Sequence, residues 1–138
     1  MLYAIPLTIL PWIAFNVVAF IFGYDVWDRQ LFSVTMISGQ VWGFFVRDLM
    51  VLFGLLCVFF EVLRSASSGT RMITNHILST IVFILFLVEF IVVRIAAHSI
   101  FFILMAIALF DVIAGFTIAI RTAQRSVTYT RDADGERR

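Results

Sequence analysis

The chain has 138 residues, of which 62% are hydrophobic and 14% charged, and its formal net charge is +1. Soluble domains carry roughly 25% charged residues, so this composition excludes an ordinary water-soluble domain and points to an apolar surrounding. One cysteine, Cys57, and two histidines exclude a disulfide framework and the common structural zinc sites.

The apolar residues arrive in runs near the ~20 residues needed to cross a bilayer as a helix. In chain order these cover about 2–22, 41–63, 73–95 and 99–120. The first run has no charge. It lacks the basic start and small-residue cleavage site of a secretory signal, so it is expected to be retained. Pro6 and Pro11 loosen its first turns. The segment 23–40 follows, and its LFSVTMI portion is too apolar for an ordinary loop. It either extends the second helix or lies along the membrane interface. A straight helix from Leu31 to Leu63 would be about 50 Å long, so a break is expected, and Gly39 is the place for it.

The connections after the second and third runs are short, which makes neighbouring helices antiparallel. The expected fold is an all-α membrane protein: four transmembrane helices in an up-down-up-down bundle over residues 1–122. A polar, irregular tail is expected over 123–138. With four crossings both termini share a side with Arg64, Arg71, Arg121, Arg125, Arg131, Arg137 and Arg138, against Arg29 and Arg94 opposite. The excess of positive charge places both termini in the cytoplasm of a bacterial inner membrane. All ten basic residues are Arg, in keeping with a GC-rich genome.

Charges inside apolar runs need partners. Helical rise puts Arg47 and Glu89 at similar depths on neighbouring helices, so an Arg47–Glu89 pair is expected, with Asp48 and Arg94 completing a network. Gly39, Gly43, Arg47, Gly54 and Glu61 recur at intervals of four and seven, along one helical face. Gly39, Gly43, Gly54 and, on the fourth helix, Gly115 are expected to let helices approach closely. Glu61 and Arg64, three residues apart, are expected to pair at the interface.

Asp111 lies midway along the fourth run, between LALF and VIAG, with no basic residue in the same span. It is a candidate proton or ion site, and Asn16 and Thr80 are the deep polar groups nearest in character. His76 and His98 fall at opposite ends of the third helix, about 33 Å apart, and read as boundary residues rather than ligands of one cofactor. Cys57 reads as a small buried apolar residue.

No nucleotide-binding loop, nucleophile triad or zinc motif occurs, so neither catalysis nor a metal or cofactor is expected. Nucleic acid is not an expected partner. The expected partners are the lipid bilayer and other membrane subunits or further copies of the chain. The expected function is that of a small non-enzymatic accessory or scaffold subunit. The alternative is a homo-oligomeric proton- or cation-coupled transporter or channel that uses Asp111 and the Arg47–Glu89 pair.

Overall fold

The computed structural model describes residues 5–66 and 72–135, with side chains placed for 5–64 and 76–121. Four α-helices dominate: α1 (Ile9–Phe22), α2 (Val46–Ala66), α3 (Met72–Val92) and α4 (Ser99–Gly135). Between α1 and α2 lie a 3-10 turn (Tyr24–Asp28) and a hairpin of β1 (Gln30–Thr35) and β2 (Val41–Phe45). A second 3-10 turn, Arg94–Ala96, joins α3 to α4.

Local chemistry explains the boundaries. Pro11 falls in the first turn of α1, where an N–H would have no intrahelical partner, so the helix tolerates it. Gly23 ends α1 at φ 76°, with its N–H donating to the Ala19 carbonyl at 3.0 Å. The hairpin comes from β-branched and aromatic residues flanking a Ser-Gly turn, in which Gly39 sits at φ 81°. Helix α2 starts only at Val46. There Asp48 accepts the Phe45 N–H at 2.9 Å, a side chain of the first turn reaching back to the helix start.

Helix α4 is the centre of the packing, contacting α2 and α3 extensively and α1 more briefly. Phe101 is fully buried. It meets Phe15 of α1 edge-on at 4.8 Å between centroids, and Phe86 and Phe90 of α3 at 5.2 and 6.4 Å. Trp27 stacks on Phe15 at 4.9 Å, which ties the first 3-10 turn to the same end of the molecule. Tyr24 strengthens that join by donating to the Ala97 carbonyl at 3.1 Å. The end of α3 therefore lies beside the start of α4, while His76, near the start of α3, lies against Gly115 far along α4.

The expectation of four membrane-crossing helices is corrected by length and charge. At 1.5 Å per residue the 14 residues of α1 reach about 21 Å, and the described apolar part of α3, His76–Val92, about 26 Å, both short of the ~30 Å hydrocarbon core. Helix α2 has 21 residues but carries Arg47, Asp48, Glu61 and Arg64. Among the described residues only Ser99–Arg121, with 23 residues and about 35 Å of rise, is long and apolar enough to cross a membrane. The span expected from residue 41 also begins as a β-strand rather than a helix, and α4 continues to Gly135 through most of the segment expected to be irregular.

Candidate functional site

The buried polar side chains among the described residues are Thr8, Glu61, His76, Ser79 and Asp111. They come from the start of α1 and from α2, α3 and α4, and they converge at the end of the bundle where α1 begins. Glu61 is completely buried. Its carboxylate accepts the Leu7 N–H at 2.8 Å and the Arg64 guanidinium at 2.8 and 2.9 Å. Arg64 also donates to the Ile5 carbonyl at 2.9 Å. One turn of α2 thus holds the lead-in to α1 through two charge-assisted contacts.

Asp111 is 4% exposed. The Thr8 hydroxyl lies 3.5 Å from its carboxylate, and the Ser79 hydroxyl bonds to it as well. Hydroxyls from α1 and α3 therefore meet an acid on α4, and three helices share the contact.

His76 packs its ring against Gly115. A Cβ built on Gly115 would lie 3.1 Å from the imidazole Cγ and closer still to Nδ1 and Cε1, so glycine is what admits the ring. The ring lies 6.3 Å from that of Phe116 at an interplanar angle of 27°. Its Nε2 is buried without a hydrogen-bond partner. Gly54 plays a similar part between α2 and α4, where an added Cβ would lie 2.6 Å from Leu104 Cδ2.

The charges singled out from the sequence take other partners. Arg47 pairs with Asp28 of the first 3-10 turn instead of Glu89, and its guanidinium carbon lies 4.3 Å from the centroid of the Phe45 ring. Glu89 instead accepts a hydrogen bond from Asn16 at 3.3 Å, which links α3 to α1. Asp48 is engaged in starting α2, and Arg94 lies exposed in the second 3-10 turn. Asn16 and Thr80, the partners expected for Asp111, serve Glu89 and the His76 carbonyl. Gly39 and Gly43 lie in the hairpin, not on a helical face, so neither brings helices together. Gly54 and Gly115 do lie where helices meet closely.

Sequence reading missed Thr8, Ser79 and His76 as members of one cluster and took Glu61 for an interfacial residue. Thr8 and Ser79 are ordinary helix-surface residue types in sequence, and only the fold brings them to Asp111. Among the described residues no group of three or more His, Cys, Asp or Glu side chains is arranged to hold a metal. No protein-family model, curated protein or solved structure matches the chain.

Proposed function

We propose that this chain is a non-enzymatic accessory or scaffold subunit of an assembly in the bacterial inner membrane, seated there by Ser99–Arg121 with the Arg-rich end of α4 toward the cytoplasm. The observation that carries the reading is an inside-out distribution of polarity. The outward sides of the helices are apolar: Phe20, Phe59 and Phe110 are 75%, 55% and 67% exposed, and Ile91 and Val92 are 73% and 75% exposed. Thr8, Glu61, His76, Ser79 and Asp111 are turned inward, at contacts between the helices. Large apolar side chains exposed on all four helices call for a cover of lipid or of partner helices.

The test is the native mass of the protein extracted gently from its own membrane, with co-migrating polypeptides identified. A fixed stoichiometry with other membrane polypeptides supports the subunit reading. The chain alone, or a ring of its own copies, overturns it.

One observation favours the transporter reading as second choice. An acid buried in a candidate span, met by two hydroxyls from other helices, is an arrangement that can hold a proton or a small cation. In that reading Asp111→Asn abolishes proton or cation flux in reconstituted vesicles while the oligomer persists. In the subunit reading the same change leaves no flux to lose.

A further inference from the structure

The hairpin stands largely clear of the helices: all six residues of β1 are exposed, and Ile37 at the turn is fully so. Along a strand, side chains alternate between the two faces. Phe32 is paired with Phe44 and Val34 with Trp42, so these four share one face, while the Ser33–Gly43 and Thr35–Val41 pairs form the other. On the first face the rings of Phe32, Trp42 and Phe44 pack together, with centroids 4.9, 5.8 and 6.2 Å apart. Phe32, Val34 and Trp42 are nonetheless each about half exposed. A lone two-stranded hairpin is marginally stable at best in water, so this aromatic face calls for a cover. No residue from Gln30 to Val46 is charged, while Arg29 and Arg47 stand immediately outside.

The root of the hairpin is fixed at one level of the bundle. The Val46 N–H donates to the Arg29 carbonyl at 3.0 Å, and Arg47 pairs with Asp28. The 3-10 turn that carries Asp28 is tied in turn to the start of α4. Tyr24 donates to the Ala97 carbonyl, and Trp27 stacks on Phe15, which meets Phe101. The hairpin therefore leaves the bundle beside Ser99, where the candidate span Ser99–Arg121 begins. We infer that it lies flat on the membrane there, its aromatic face turned into the boundary between lipid headgroups and acyl chains and its Ser33–Thr35 face toward water. The inference rests on the reading of Ser99–Arg121 as a membrane span. Both edges of the two-stranded sheet carry unpaired N–H and C=O groups, which the hydrocarbon core does not accept and the hydrated boundary does. Tryptophan gathers at that boundary. A second copy of the chain could hide the same rings, but the level of the root, at the end of a span, favours lipid. A hairpin without charge needs no anionic lipid, so phosphatidylcholine suffices.

Tryptophan quenching tests this in the full-length protein, reconstituted in phosphatidylcholine nanodiscs. The emission lost in Trp42→Phe is assigned to Trp42, with Trp12 and Trp27 left in place. The expected result is that lipid brominated near the headgroup end of its chains quenches this emission more than lipid brominated near the methyl end. Aqueous iodide should quench it little. Val34→Asp, paired with Trp42 on the aromatic face, should shift most of the quenching from lipid to iodide. Thr35→Asp, on the opposite face, should leave the pattern unchanged. Phe110→Trp in the Trp42→Phe background reports on the span separately, with methyl-end lipid the stronger quencher. Trp42 quenched by iodide instead of lipid, while Phe110→Trp reports a span, would overturn the hairpin's placement and spare the span. Trp42 shielded from lipid and iodide alike would assign the face to a protein cover and overturn the placement too. Stronger quenching of Trp42 by methyl-end lipid, or equal effects of Val34→Asp and Thr35→Asp, would also overturn it. Absence of lipid quenching at both positions would remove the span, and the hairpin's placement with it.

Discussion

Gly115→Ala inserts one methyl group at the tightest approach of α3 to α4. The new Cβ would lie 3.1 Å from the His76 Cγ and nearer to two further ring atoms, where an ordinary contact is about 3.4–4 Å. His76 is 5% exposed and its ring lies beside Phe116, so relief requires the ring to turn toward the cavity it lines with Ile77 and Ile81. Either the helices part or the imidazole leaves its rotamer. Overpacking of this kind costs about 1–3 kcal/mol, and meeting a ring rather than a chain end, with a cavity beside it, places it near ~2 kcal/mol, or roughly thirtyfold in the folding constant. Gly54→Ala is the control. Its added methyl meets the terminal Leu104 Cδ2 at 2.6 Å, a group that can rotate, so about 1 kcal/mol is expected. Reversible unfolding in mixed micelles, followed by circular dichroism, measures both. In a His76→Ala background Gly115→Ala should become nearly neutral, because the obstructing ring is gone. An equal cost with and without the His76 ring would refute the reasoning, as would Gly54→Ala proving the more damaging of the two.

Glu61→Leu should cost about 2–3 kcal/mol by the same measurement. It strips a carboxylate from the Leu7 N–H and from Arg64, discounted because Arg64 is 27% exposed and keeps some water. Glu61→Gln, which retains an acceptor, should cost about half as much. Gly39→Val should strain the hairpin turn alone, since φ there is 81° and nothing lies within 4 Å of an added Cβ. The expected cost is about 1–2 kcal/mol. It would appear as hydrogen exchange at Met36 and its hairpin neighbours roughly tenfold faster, with α2 and α4 unchanged and Gly39→Asn nearly silent.

The helices were legible because long apolar runs with few polar interruptions leave little else for the backbone to form. Their ends were less so. Residues 41–45 are as apolar as the helix that follows, and hydropathy does not separate VWGFF as a strand from VWGFF as a helical turn. The β-branched and aromatic content on both sides of Ser38-Gly39 was the available signal, and the constraint is the pairing of β1 with β2. Depth arithmetic paired Arg47 with Glu89 on the premise of a continuous helix from 41. With the helix beginning at Val46 and the 3-10 turn folded against its start, Asp28 is the nearer carboxylate. Asp111 was legible as a deep acid, yet its hydroxyl partners on α1 and α3 depend on helix rotation, which residue spacing alone does not provide.

The proposal that Ser99–Arg121 seats the protein in a membrane is tested most directly by Phe110→Arg. Phe110 is 67% exposed about halfway along Ser99–Arg121, so the change disturbs little internal packing. In water an exposed Arg is nearly neutral, within about 0.5 kcal/mol. Near the centre of a bilayer it costs about 2.5–3.5 kcal/mol on the insertion scale. The measurement is the fraction of protein that resists alkaline extraction from membranes, for the unaltered chain and for Phe110→Arg. The account predicts that the unaltered chain stays with the membrane and that the variant is largely lost from it. Equal retention of both, or a freely extractable unaltered chain, would contradict the account.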